Sequence, residues 1–186
     1  FKFATRYKVT KDFNLRGSVS TGFRAPSLQQ INFRNSLTSF SGGKLVQSLI
    51  SRNGSALTLA AGIPNLKEET SVNGSIGFSW KPIKGLTITA DGYMVKVKDR
   101  VVLSGLFSAE DATLSPAFLA QIPVGVSTVQ FFANAVNTTN SGIDIVVDYV
   151  KKWNNQSFKA LLAGNFQNMT IDDIHVPSAL NATELN

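Results

Sequence analysis

The sequence contains no cysteine, one histidine and few charged residues, and each shortage excludes a class of protein. Without cysteine, the chain has no disulfide scaffold and no thiolate metal site. Only 16% of its residues are charged, against about 25% in an average soluble domain. No apolar run approaches the roughly 18 residues that a membrane-spanning helix needs. Disulfide scaffolds and thiolate metal sites are therefore excluded, and the sequence predicts no membrane-spanning helix.

The same shortages argue against an enzyme. The single histidine, His175, follows a predicted strand close to Asp172 and Asp173, and we interpret this cluster as a solvated acidic turn rather than a set of metal ligands. The glycine-containing stretches lack the spacing and the lysine of a phosphate-binding loop. The net charge of +6 comes without a basic cluster interleaved with aromatic residues, so nucleic acid is not an expected partner. The sequence predicts no catalytic residue, no metal and no cofactor.

What the sequence does contain is a two-residue alternation of apolar and polar side chains. Val72, Ile76, Phe78 and Trp80 share one parity, and serine, asparagine or glycine occupies the other. A period of two is that of a β-strand, because successive side chains point to opposite faces. Six such segments predict an all-β, antiparallel up-and-down meander, with strands near 1–9, 13–24, 68–81, 86–102, 132–150 and 157–171.

The connections between these predicted strands alternate between short and long. The short ones are 10–12, 82–85 and 151–156, and the long ones run from about 24 to 67 and from about 104 to 130. In a meander this order places every short turn at one end and both long loops at the other. Long loops in compact domains are usually functional. Short turns on one side and long loops on the other are typical of outer-membrane β-barrels.

Aromatic residues lie near both ends of the predicted strands. Trp80 and Trp153 flank short turns, whereas Phe23, Phe131 and Phe132 lie near the long loops. This distribution predicts two interfacial aromatic girdles of a membrane barrel. Aromatic residues covering the core of a β-sandwich are the alternative interpretation.

Four segments carry a resemblance to a known family. They are "LRGSVSTGFRAPSLQQI", "NLKEETSVNGSIGFSWKP", "GLTITADGYMVKVKDRVV" and "NAVNTTNSGIDIVVDYV", in that order along the chain. Together they resemble the strand and turn signatures of the β-barrel of TonB-dependent outer-membrane receptors, most closely those of Bacteroidetes bacteria. The resemblance implies a barrel of 22 strands, of which residues 1–186 would form a partial barrel domain. The plug domain and TonB box of such receptors are absent from these residues, and six strands cannot close a barrel, since the smallest known have about 8.

The resemblance also implies a location, a function and partners. It places the protein in the bacterial outer membrane, in contact with lipid and lipopolysaccharide. The implied function is energised uptake of a scarce nutrient, such as an iron chelate, cobalamin or a glycan, with the TonB complex acting through a plug and TonB box. A soluble β-sandwich adhesion or carbohydrate-binding module is the alternative from another class, and a porin-like channel is a third.

The first long loop contains the candidate ligand-binding residues. It holds several basic residues and no acidic residue before Glu68, and two phenylalanines lie among them. Such a loop can attract an anionic ligand, although an ordinary solvated loop has the same composition. Arg24 directly precedes the strand break that Pro26 imposes, so it either presents charge at the mouth or locks the loop onto the barrel. The candidates are Arg24, Phe33, Arg34, Phe40, Lys44 and Arg52.

Overall fold

A computed structural model describes residues 1–41 and 43–177 of the chain. Its strands are β1 (Lys2–Lys8), β2 (Phe13–Arg24), β3 (Asn35–Ser41), β4 (Lys44–Ser51), β5 (Glu69–Trp80), β6 (Leu86–Leu103), β7 (Phe107–Ser108), β8 (Thr128–Trp153) and β9 (Gln156–Ile174). Three short helices are α1 (Leu28–Asn32), α2 (Ala56–Ala60) and α3 (Pro116–Leu119). Across the described ranges, no helix is long and apolar enough to cross a membrane.

The six predicted strands are confirmed as β1, β2, β5, β6, β8 and β9. Most of their ends lie within a few residues of the predicted ones. The largest difference is at β8, which begins at Thr128 instead of residue 132. The remaining elements lie inside the two long connections, which are therefore folded segments with strands and helices of their own.

The chain divides into two compact units. We call the first the strand unit, which comprises Phe1–Phe23, Thr70–Val97 and Thr138–Asp172. We call the second the loop unit, which comprises Arg24–Glu69, Lys98–Asn137 and Asp173–Asn186.

In the strand unit, neighbouring strands follow the order β1-β2-β5-β6-β8-β9. The pair β1–β2 is antiparallel, with Phe3 opposite Val19 and Tyr7 opposite Leu15. Opposite residues share one face of a sheet, and the side chains of this face stay exposed: Phe3 is 60% accessible and Tyr7 is 68% accessible. The face continues on later strands through Ile76 and other exposed apolar residues. A contiguous exposed apolar face of this kind indicates a surface that packs against another protein or lies in a membrane.

The opposite face of the strand unit is polar and hydrogen-bonded. The guanidinium of Arg16 pairs with both carboxylate oxygens of Asp91. The hydroxyl of Ser18 lies 2.8 Å from that of Ser75. These contacts join residues of different strands. The polar side chains that alternate with the apolar ones in the sequence therefore form one hydrogen-bonded face of the sheet.

The loop unit has a separate apolar core. Phe107, Phe118 and Phe131 are fully buried, with ring centroids 5.8–6.5 Å apart. Leu49, Leu57 and Val129 belong to the same cluster. Phe131 was predicted to lie in an outer aromatic girdle, and this is wrong, because its side chain is 0% accessible. The girdle prediction fails here because α3 of the second long loop supplies a core that covers this residue.

Pairing within the loop unit is partly parallel. Strands β3 and β4 form an antiparallel hairpin, with Asn35 opposite Ile50. Residues Ser48–Ser51 of β4 then pair in parallel with Thr128–Phe131 of β8. This pairing attaches the hairpin to the apolar core through Leu49, which is 5% accessible.

Candidate functional site: the basic cleft of the loop unit

Two of the candidate arginines line one open cleft of about 580 Å³, which we call the basic cleft. Arg34 directly precedes β3 and Arg52 directly follows β4. Because Asn35 pairs with Ile50, both arginines leave the hairpin at the same end. Asn32 is the last residue of α1 and Gln121 follows α3, and both add amide groups to the lining. No acidic side chain lines this cleft among the described residues.

A hydroxyl network holds the backbone of Arg52 in place. The buried Thr58 hydroxyl donates to the carbonyl oxygen of Arg52 at 2.7 Å. The hydroxyl of Ser55 lies 2.9 Å from that of Thr58 and 2.9 Å from that of Ser51. Leu57 lines the cleft and also belongs to the apolar core. The base of the cleft is therefore hydrogen-bonded and packed against the core, whereas the side chains of its two arginines are exposed to solvent.

Two other candidates, Arg24 and Phe33, line a second cleft of about 610 Å³. Phe33 packs edge-on against Phe132, with centroids 6.4 Å apart. Gln29 and Gln30 complete the polar part of this lining. The sequence interpretation placed all six candidates in one site, but the structure distributes them over separate places.

Arg24 has a structural partner in Glu69. Its Nη2 donates to Oε1 of Glu69 at 2.5 Å, and the same oxygen accepts from the backbone N–H of Val101 at 2.9 Å. The Glu69 side chain is only 8% accessible. Arg24 ends β2 and Glu69 begins β5, so the pair closes the base of the first long loop. This contact favours the locking role for Arg24.

We expect Glu69→Gln to loosen the first long loop. The substitution removes the charge of a buried hydrogen-bonded group, which costs about 1–3 kcal/mol. In the folded protein, protease cleavage between residues 25 and 66 should accelerate by roughly 5- to 150-fold, which corresponds to that free energy when local opening and reclosing are fast relative to cleavage. Glu68→Gln is the matched control, because Glu68 is exposed. Equal cleavage rates for the two variants would contradict the locking role.

The last two candidates belong to the tip of the β3–β4 hairpin. Phe40 is 73% accessible and lies opposite Leu45. Lys44 begins β4, and its side chain lies outside the described part of the structure. Phe40 does not line the basic cleft.

The structure places Asp172 and Asp173 inside β9, so the acidic turn predicted from the sequence is wrong, and the two carboxylates have different partners. Thr139 donates to Asp172 at 2.6 Å, and Nδ1 of His175 lies 3.4 Å from Asp173. Within residues 1–41 and 43–177, no group of three histidine, cysteine or acidic side chains is placed to hold a metal ion.

The sequence interpretation missed Asn32, Ser51 and Gln121 as lining residues of the basic cleft. Gln121 comes from the second long loop, so no local pattern connects it with Arg34. A polar residue in a loop has no distinguishing signal until the fold brings it to the site.

Comparison with known proteins identifies the family. Residues 1–183 match the family described as "TonB dependent receptor-like, beta-barrel". The chain belongs to this family. The resemblance carried by the four sequence segments is therefore confirmed, and a soluble β-sandwich is excluded. A comparison with curated proteins finds no match.

Solved structures of siderophore receptors share the fold. The siderophore receptor PirA of Pseudomonas aeruginosa is similar over 92% of this chain and 28% of its own, with 17% identity and a TM-score of 0.60. A mutant of the ferric enterobactin receptor PfeA of Pseudomonas aeruginosa is similar over 87% of this chain and 21% of its own, with 15% identity and a TM-score of 0.54. PirA of Acinetobacter baumannii is similar over 92% of this chain and 22% of its own, with 17% identity and a TM-score of 0.52. The chain thus spans between about a fifth and 28% of these receptors.

Family membership explains the exposed apolar face of the strand unit. Proteins of this family are β-barrels of the outer membrane of Gram-negative bacteria, and the chain is a segment of such a barrel. The strands of these barrels alternate between lipid-facing apolar residues and polar interior residues. Exposed residues such as Ile76 are therefore lipid-facing, and Arg16 and Asp91 are interior. An origin in Bacteroidetes stays a prediction.

Proposed function

We propose that the chain supplies part of the wall and the ligand-capturing loops of an outer-membrane receptor for TonB-dependent nutrient uptake. Family membership and the similarity to siderophore receptors support this function. In this proposal both long loops are external and the three short turns face the periplasm. The nutrient, outer-membrane lipid and lipopolysaccharide are partners, and the TonB complex acts through a plug and TonB box. The proposal includes no chemical step and no cofactor.

The nutrient that best fits the basic cleft is an anionic iron chelate. Arg34 and Arg52 line the cleft without an acidic neighbour among the described residues, and this observation carries the proposal. Arginine donates paired hydrogen bonds to planar carboxylate or catecholate oxygens, and these charged bonds are roughly twice as strong as neutral ones. A neutral glycan gains nothing from the two charges.

Each group of the cleft has a distinct part in capture. The exposed guanidinium groups attract the anion over a distance of about 10 Å at 0.1 M salt. At contact they donate to its oxygens, and the amides of Asn32 and Gln121 provide additional donors and acceptors. The fixed backbone of Arg52 limits the entropy that is lost when the ligand binds.

We expect the double substitution Arg34→Glu and Arg52→Glu to weaken capture of an anionic chelate by at least about ten-fold at low salt, because each charged hydrogen bond contributes about 1.5–3 kcal/mol. The whole receptor should be titrated with ferric enterobactin and, separately, with a neutral ferric hydroxamate. The loss should be confined to the anionic chelate and should shrink as salt is raised.

The pair Lys2→Glu and Lys98→Glu is the matched control, since it makes the same change in net charge at exposed positions away from the cleft. The control should bind as the parent receptor does. Unchanged affinity in the Arg34 and Arg52 variant, with the barrel still inserted, would move recognition to the Arg24 and Phe33 cleft or to another part of the receptor.

A further inference from the structure

The net positive charge of the chain is concentrated in the strand unit. The chain carries a net charge of +6. The residues of the loop unit, Arg24–Glu69, Lys98–Asn137 and Asp173–Asn186, contain as many acidic as basic side chains. The entire excess therefore belongs to the strand unit.

Within the strand unit, the exposed lysines concentrate at the three short turns. Each turn, together with the strand end that leads into it, contains two lysines, and all of these side chains are exposed. We call this group the lysine rim: Lys8, Lys11, Lys81, Lys84, Lys151 and Lys152.

Backbone hydrogen bonds bring these turns together. The N–H of Lys81 donates to the carbonyl of Asp12 at 2.8 Å, which joins the first turn to the second. The N–H of Val150 donates to the carbonyl of Gly85 at 2.8 Å, which joins the second turn to the end of β8. An open cleft of about 620 Å³ between these segments is lined by Lys81 and Lys84. The lysine rim is thus one continuous edge of the strand unit.

Few acidic side chains accompany the lysine rim in the part of the chain that the structure describes. Among the described residues, no rim lysine takes part in an ion pair. Of the two acidic residues that line the cleft, Asp148 lies 3.9 Å from Lys159, which is outside the rim. Asp12 is the other. An edge with six lysines and so few acidic neighbours can bind an anion from outside the chain.

Aromatic residues fix the depth of this edge in the membrane. Trp80 and Trp153 are each 44% accessible, and Tyr7 is 68% accessible. These three directly precede or follow rim lysines in the sequence. Tryptophan and tyrosine on the lipid face concentrate at headgroup level. Successive side chains of a strand face opposite sides, so Lys8, Lys81 and Lys152 carry the interior parity, whereas Lys151 shares the lipid-facing parity of Trp153 and Lys11 and Lys84 lie in the turns. The ammonium groups of Lys11, Lys84 and Lys151 therefore lie at the level of the lipid phosphates.

We propose that the lysine rim, through Lys11, Lys84 and Lys151, binds the phosphate groups of anionic phospholipids in the leaflet at the short-turn side of the barrel. Basic residues beside a membrane span attract anionic lipid by about 1 kcal/mol each, and salt screens this attraction. An acidic protein segment is the alternative binding partner for such an edge. The aromatic residues favour lipid, because they place the rim at headgroup depth.

The test uses the whole receptor in nanodiscs of phosphatidylcholine that contain phosphatidylglycerol as a minor component. Native mass spectrometry measures the ratio of the two lipids retained on the protein. We expect enrichment of phosphatidylglycerol at low salt that declines as salt rises. The triple substitution Lys11→Gln, Lys84→Gln and Lys151→Gln should reduce the enrichment by up to roughly 100-fold, at about five-fold for each lysine.

The matched control replaces Lys2, Lys96 and Lys98 by glutamine, which removes the same charge at exposed positions of β1 and β6 outside the short turns. Of these three, Lys96 has an acidic neighbour, Asp172, at 4.0 Å. The control should leave the enrichment unchanged. Equal loss in both triple variants would show a non-specific effect of net charge and would overturn the proposal. Enrichment that survives the rim substitution would also overturn the proposal, and an acidic protein segment would then be the better candidate partner of the rim. If the rim variant does not insert, salt-independent enrichment in the parent receptor would overturn it equally.

Discussion

Phe118→Ala is expected to lower the free energy of unfolding of the loop unit by about 3–5 kcal/mol, the usual cost of removing a phenylalanine ring from a packed core. We also expect it to weaken ligand capture at least ten-fold. The Phe118 ring is fully buried, with its centroid 5.8 Å from that of Phe131 and 6.5 Å from that of Phe107. Leu49 and Leu57 pack in the same cluster and also line the basic cleft. A cavity at this point therefore disturbs the base on which Arg34 and Arg52 are held.

The measurement is hydrogen exchange of the loop unit in the whole receptor, together with chelate binding. Phe40→Ala is the control, because the Phe40 ring is 73% accessible and its removal should change stability by no more than about 0.5 kcal/mol. Both variants should reach the outer membrane, because neither alters the strand unit. Exchange in the Phe118 variant as slow as in the Phe40 variant would show that the long loops do not share a core.

Ile76→Lys is expected to destabilise the inserted barrel by about 2–4 kcal/mol, the cost of a lysine at the midplane of a lipid-facing barrel strand. Ile76 lies well inside β5, between Glu69 and Trp80, and its side chain is 73% accessible. In water such an exposed position tolerates lysine with little cost. The size of the stability loss therefore shows whether the Ile76 side chain lies in the hydrocarbon core of the membrane.

Ile83→Lys is the control, since Ile83 is 60% accessible and lies in the short turn beyond Trp80. Near the interface the expected cost falls to about 0–1 kcal/mol. Denaturant unfolding of the whole receptor from lipid vesicles measures both variants. Equal stability of the two would mean that Ile76 does not face the membrane core.

The wall strands could be predicted from the sequence because their pattern is local. Alternation such as that of Val72, Ile76 and Trp80 identifies a strand and its apolar face without knowledge of any partner. In a lipid-facing strand no tertiary core overrides this pattern, so the predicted and observed strands agree closely.

The loop unit could not be predicted, because its structure depends on distant contacts. Strand β4 pairs in parallel with the beginning of β8, and the hydroxyl of Ser48 meets that of Thr128 at 2.8 Å. Nothing near Ser48 in the sequence specifies that partner. Phe131 and Phe132 are adjacent, and only the arrival of Phe118 from α3 decides which of the two is buried.

The candidate site was predicted in part. The basic character of the first long loop identified Arg34 and Arg52, but the hairpin register places them in one cleft, and that register is a property of the fold. Arg24 was left with two interpretations, since its partner Glu69 lies 45 residues away. Gln121 could not be predicted as a lining residue, because nothing in the sequence distinguishes it from any other glutamine in a loop.

The structure of the whole receptor with bound ferric chelate would test the central claim most directly. We predict that anionic oxygens of the chelate lie within about 3 Å of guanidinium nitrogens of both Arg34 and Arg52, the distance of a charged hydrogen bond. A chelate seated against Arg24 and Phe33, or held entirely by residues outside this chain, would contradict the proposal that the basic cleft captures the nutrient.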